Sequence, residues 1–229
     1  MDIAANVAAV RVQIADACGR VGRDPAEVRL LPVSKTMSPE LIRQAYAVGC
    51  RRFGESRAQE AILKAEQLSD LDDLSWAMIG HLQTNKAALV ARFAGEFQAL
   101  DSLRLAAELD RRLQAVDRQL DVLVEVNTSG DASKFGVPVD GAPKLVAGLQ
   151  AFDALRVRGL MTIASRSSDP KRVGDCFQKL AQLRRELRDD DTLTGDFGEL
   201  SMGMSSDFGL AIEHGATVVR IGRGIFGAR

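Results

Sequence analysis

Eight short apolar runs, each followed by a longer stretch, limit what this 229-residue chain can fold into. The runs are VRLLPVSK (28–35), RRFGES (51–56), LSWAMIG (74–80), EFQALD (96–101), LDVLVEVN (120–127), LRVRGLMTIA (155–164), GELSMG (198–203) and TVVRIG (217–222). Between them, segments such as PELIRQAYAVG, SRAQEAILKAEQL, SLRLAAELDRRLQAV and VGDCFQKLAQLRRELR carry apolar residues at helical spacing. Several runs are too uniformly apolar for a sheet with one wet face, so a parallel sheet covered by helices is expected. Eight strand-then-helix units at this length fit a single (β/α)₈ TIM barrel, an α/β fold, with the last helix weakly defined. The opening MDIAANVAAVRVQIADACGR predicts an extra amphipathic helix ahead of the first strand. The rival is an open doubly wound sheet, which usually carries a glycine-rich turn after its first strand. Here that turn is SKTMSPE, without glycine. No repeat or proline-rich linker marks a boundary, so residues 1–229 are expected to form one domain, with SRSSDP (165–170) and RDDDTLTGD (188–196) as surface loops.

Composition removes several classes of function. Thirty basic residues balance thirty-one acidic ones, which argues against a nucleic-acid or anionic-membrane surface. Cys18, Cys50 and Cys176 are odd in number and far apart, so no disulfide framework fits and a cytoplasmic location is expected. The two histidines, His81 and His214, stand apart from any cysteine, which disfavours a zinc cluster. No apolar stretch approaches the ~20 residues of a membrane-spanning helix.

The chemistry is expected at the C-terminal ends of the strands, where such barrels build their sites and where the last two loops often hold phosphate. Those loops are SMGMSSDFG (201–209) and RIGRGIFG (220–227). Their glycines let backbone N–H groups approach an anion, Ser205 and Ser206 add hydroxyls, and Asp207 suits a helix N-cap. Strand parity places Leu31, Val33 and Lys35 on one face of the first run, and Leu123, Glu125 and Asn127 on one face of the fifth. In the eighth, Val218, Arg220 and Gly222 share a face. If these faces point inward, a lysine, an arginine, an asparagine and a phosphate cradle meet at one opening. That set suits a phosphorylated aldehyde such as pyridoxal 5′-phosphate (PLP), because a desolvated lysine near other cations becomes nucleophilic. A salt-bridged or snorkelling Lys35 is the structural alternative.

The blocks PVSKTMSPELIRQAYAVGCRRFGESRAQEA, WAMIGHLQTNKA, VEVNTSGDASKFGV, GLMTIA, LSMGMSSDFGLAI and VVRIGRGIFGAR resemble, in order, those of the pyridoxal phosphate homeostasis protein family (the YggS/PROSC group). The resemblance implies a barrel of the alanine racemase N-terminal type, with PLP held as a covalent aldimine on Lys35 and Arg220 facing the pyridine nitrogen. By the same motifs Ser205, Gly222 and Arg223 take phosphate-loop positions. Asn127 and Met161 would line the pocket from their strands, and His81 opens the family's HLQ block. The family implies a PLP carrier in vitamin B6 homeostasis without established turnover, serving PLP-dependent apoenzymes; a monomer is expected. A weak amino-acid racemase, or a barrel for another organic phosphate, are the competing functions. Three departures stand out: Ser56 replaces an asparagine beside the site, Arg223 and Gly224 replace a Thr-Ala pair, and Ala77 replaces a frequent histidine.

Overall fold

The computed structural model describes residues 2–227. Helix α1 (Ile3–Arg20) opens at Asp2, whose carboxylate accepts from Ala5 N at 2.9 Å and satisfies one of the donors a helix start leaves bare. Its Ile3, Val7, Val10, Ile14 and Ala17 fall on one buried stripe. The strand–helix units follow: β1 (Arg29–Pro32) and α2 (Pro39–Ala47); β2 (Arg52–Glu55) and α3 (Ala58–Gln67); β3 (Ser75–Met78) and α4 (Ala87–Phe93); β4 (Glu96–Leu100) and α5 (Leu103–Gln114). Strand β5 (Leu120–Asn127) precedes a two-residue strand β6 (Val137–Pro138) and α6 (Ala142–Leu149). The chain ends with β7 (Leu155–Met161) and α7 (Pro170–Arg188), β8 (Glu199–Met204) and α8 (Phe208–Glu213), β9 (Val218–Ile221) and the single turn α9 (Arg223–Phe226).

The long strands pair in parallel in the order β1-β9-β8-β7-β5-β4-β3-β2. A bridge between Val33 and Gly54, with Ser34 N donating to Gly54 O at 3.0 Å, draws β1 to β2 and brings the sheet round into a barrel. This is the α/β barrel expected from the eight runs, with the extra N-terminal helix in place. Inside, Leu31, Ala77 and Val218 pack with Ile79 as a small apolar plug. Outside, the main core lies between strands and helices and takes Val122, Val124, Val126 and Leu160 at full burial. Asn6 Nδ2 donates to Ile225 O at 2.8 Å, so α1 is tied to the short α9 beneath the last loop.

Several strands are shorter than the apolar runs. The first ends at Pro32, whose ring removes a backbone donor, and Lys35 sits in the following turn with Thr36 at φ 67. Strand β6 was not expected; two residues carry no period to read, and only pairing of Val137 with Val126 defines it. Asp207 does stand at the N-cap of α8, yet its carboxylate accepts from Met204 N at 2.6 Å, not from the helix. The two segments expected as surface loops are loops except at Pro170 and Arg188, which begin and end α7.

Candidate functional site

At the C-terminal mouth of the strands lies a cavity of about 500 Å³. Its polar lining comes from Lys35, Ser56, Ser205, Ser206, Arg220, Gly222 and Arg223, with Val33, Ile79, Ile163 and Met204 as apolar walls. Seven residues singled out in the sequence therefore meet at one opening, although they come from opposite ends of the chain. Strand parity turns Val218 and Arg220 of β9 to the mouth, whereas Lys35 reaches it from the turn that follows β1, beyond Val33.

Arg220 is the most buried cation of the cavity, 4% exposed. Its guanidinium donates to Ser201 Oγ at 2.6 Å and to the Thr162 carbonyl at 2.8 Å, both neutral. Burial pushes its pKa down to about 10, against the pull of Glu125 and Asp207, so it stays charged at neutral pH. Among the described residues no carboxylate touches it, and its positive field reaches into the cavity. Ser201 Oγ in turn donates to Gln98 Oε1 at 2.6 Å, and Gln98 Nε2 donates to Glu96. A hydrogen-bond chain thus runs down the barrel interior from Arg220.

The backbone on both sides of Lys35 is clamped. Lys64 from α3 is buried and donates to the Ser34 carbonyl and Glu55 Oε1, both at 2.8 Å, and to Glu60 Oε1 at 2.6 Å. Ser34 Oγ donates to Glu55 at 2.7 Å, and Glu60 accepts from Thr36 N at 2.6 Å. Burial raises the Glu55 pKa while Lys64 and Ser34 pull it back. Three side chains fix Ser34 and Thr36, and Lys35 stands between them, half-buried. Nothing local in the sequence announced this clamp: Lys64 reads as an ordinary surface cation paired with Glu60 at i, i+4.

The remaining three candidates lie elsewhere. Asn127 lines a neighbouring cavity, and its amide donates to Asp131 O at 2.8 Å while accepting from Ser129. Met161 is fully buried in the main apolar core. His81 stacks on Phe135 at 3.9 Å between ring centroids, with Nδ1 3.3 Å from Asp101. Of the three departures, Ser56 and Arg223 line the cavity, and Ala77 packs in the apolar plug below it. Among the described residues no cluster of histidine, cysteine and carboxylate groups suits a metal ion.

An eight-stranded parallel barrel with a lysine after its first strand, a buried arginine on its last and two glycine-bearing loops beside them defines a class. It is that of the alanine racemase N-terminal domain, whose family model matches residues 5–229. A pyridoxal phosphate homeostasis protein from Aquifex aeolicus is 40% identical over 229 residues, covering 100% of this chain and 99% of that protein. The PipY protein of Synechococcus elongatus, solved with PLP bound, is 34% identical with a TM-score of 0.80, covering 93% of this chain and all of that one. A protein from Bifidobacterium adolescentis of unknown function superposes with a TM-score of 0.94 at 33% identity, over 98% of this chain and 94% of its own. The alanine racemase of Corynebacterium glutamicum shares the fold alone, at 18% identity and a TM-score of 0.68 over 60% of its length. This chain belongs to the pyridoxal phosphate homeostasis protein family.

Proposed function

We propose that this protein binds PLP as a Schiff base on Lys35, formed by the lysine amine and the cofactor aldehyde with loss of water, and serves intracellular PLP homeostasis as a carrier. The observation that carries it is the meeting of Lys35, Arg220 and the two late loops at one cavity of about 500 Å³. The donor set fits the cofactor. Ser205 and Ser206 offer hydroxyls, and Arg223 offers a guanidinium suited to phosphate. Gly222 keeps backbone accessible where a Cβ would come within 3.3 Å of the Val33 carbonyl. PLP supplies an electron sink when its ring nitrogen is protonated. With PLP bound, Arg220 would face that nitrogen and disfavour the proton, because two like charges would meet.

Holding rather than turning over follows from the same lining. Racemisation needs an acid and a base on the two faces of the substrate carbon. Among the described residues the cavity lining holds no carboxylate, imidazole, thiol or phenol, and Lys35 is the one group suited to proton transfer. Residues 1–229 would act as one PLP-binding domain, monomeric and cytoplasmic, passing the cofactor to PLP-dependent apoenzymes.

The test is spectroscopic. Added PLP should give the visible absorbance of a protein Schiff base, reducible by borohydride and lost in Lys35→Ala. A colourless protein would overturn the proposal. In D₂O with amino acids, α-proton exchange as fast as ordinary enzymes, on the order of 1 s⁻¹, would make it a racemase-like enzyme instead.

A further inference from the structure

Beside the first cavity, across Ile163, lies a second of about 630 Å³. At its inner end stands Glu125, 6% exposed. Among the described residues its carboxylate has no hydrogen-bond or ion-pair partner. The charged groups that act on it from neighbouring elements are Asp101, which repels, and Arg220, whose N–H groups go to Ser201 and Thr162 instead. Burial raises its pKa to about 7, the signature of an acid without a cation to hold it. The space around it is kept by Gly136, at φ 99, where a Cβ would come within 3.1 Å of the Glu125 Cγ.

The outer end carries an excess of the opposite charge, although Asp131 also borders the cavity, its carboxylate accepting from Ser133 N and Oγ at 2.9 and 2.7 Å. Arg166 and Arg172 line it, both exposed and neither with an ion pair among the described residues. Lys134 also borders the cavity, but its ammonium is committed to the Ile163 and Ala164 carbonyls at 3.2 and 2.7 Å. It fastens the loop after β7 in place. The aromatic wall is fixed as well, since Phe135 is stacked on His81.

A purely anionic ligand would meet the acid at the inner end, and a purely cationic one would meet the arginines at the outer end. A ligand carrying both charges satisfies each end. We propose that this second cavity binds a free α-amino acid, its ammonium on the Glu125 carboxylate and its carboxylate on Arg166 and Arg172. With two arginines at the outer end, an amino acid bearing a second carboxylate is expected to bind best. The site is separate from the Lys35 cavity and does not depend on PLP being the ligand there.

The experiment is calorimetric titration of the full chain carrying Lys35→Ala, which removes any reaction between added amines and a cofactor. L-glutamate, L-alanine and glutarate, which lacks the amine, are titrated in turn. Expected are at least tenfold tighter binding of L-glutamate than of glutarate, and weaker binding of L-alanine than of L-glutamate. Glu125→Gln should erase the glutamate-over-glutarate preference. Arg172→Gln, at an exposed position, should weaken both dicarboxylates about tenfold and guards against a Glu125 variant that fails to fold. Glutarate binding as tightly as glutamate, no saturable binding of any of the three, or an unchanged preference in folded Glu125→Gln would each overturn the proposal.

Discussion

The two ends of the barrel both bury charge, and they use it in opposite ways. At the N-terminal end Glu96, 1% exposed, accepts from Arg29 at 3.0 Å and from Arg52 and Gln98, while Arg29 also reaches Glu199 at 2.9 Å. Charge is answered by charge, and the barrel floor is closed. At the C-terminal end Arg220 is held only by neutral acceptors, and Glu125 has no partner among the described residues. In the two proposals above, those are the charges a ligand would meet. The two ends are also joined, because Gln98 and Ser201 link Glu96 to Arg220. A network closed by ion pairs at one end therefore positions a cation held by neutral acceptors at the other.

The comparison breaks most visibly at its floor. Glu96→Gln removes the buried carboxylate shared by the partly exposed Arg29 and Arg52, and with hydrogen bonds to charged groups worth about 1.5–3 kcal/mol each, a loss of about 3–5 kcal/mol is expected. Thermal denaturation should show a fall of roughly 10 °C for a chain of this size. A fall of only a degree or two would mean the floor network is not what holds the barrel together.

The mouth should respond to pH in a way the floor does not. The folded-state pKa of Glu125, raised from 4.5 to about 7, lies above its unfolded value. The folded state then binds the extra proton between those values, so this group's contribution is favourable at low pH. It is lost as pH rises through that window, by on the order of 3 kcal/mol. Denaturant melts at pH 5 and pH 8 should show the parent weakening relative to Glu125→Gln as pH rises. Parallel pH profiles for the two proteins would show that Glu125 is satisfied after all.

The link between the ends gives the smallest effect. Ser201→Ala removes the hydroxyl that accepts from Arg220 and donates to Gln98, a loss of about 1–3 kcal/mol. Its sharper consequence should be for PLP: with Arg220 freed on one side, cofactor retention on dialysis is expected to fall, while Arg29→Lys at the floor should leave retention near the parent's. Equal losses in both variants would dissolve the distinction between the ends.

Much of the fold was legible because a parallel barrel writes a strong signal: strands covered on both faces become continuous apolar runs, and helices between them keep their own period. Parity then brought Arg220 to the mouth, since successive strand residues alternate faces, while Lys35 and Gly222 reach it from just past the ends of β1 and β9. Glu125 was on the inward face by the same rule. The clamp of Lys64, Glu55 and Glu60 was not legible, because a lysine on a helix looks the same whether it ends in water or on a carbonyl thirty residues away. Asn127 and His81 were drawn to Asp131 and to Asp101 with Phe135, partners that only loop conformation supplies.

The sequence by itself determined the alternation of strands and helices, the inward parity of the lysine and arginine, and, through its ordered motifs, the family. Those depend on periodicity and composition, which are local. Only the tertiary structure decided which buried charges would be neutralised and which left open. That choice depends on distances between segments far apart in the chain, and at such burial a few ångströms separate a closed ion pair from an unfilled site.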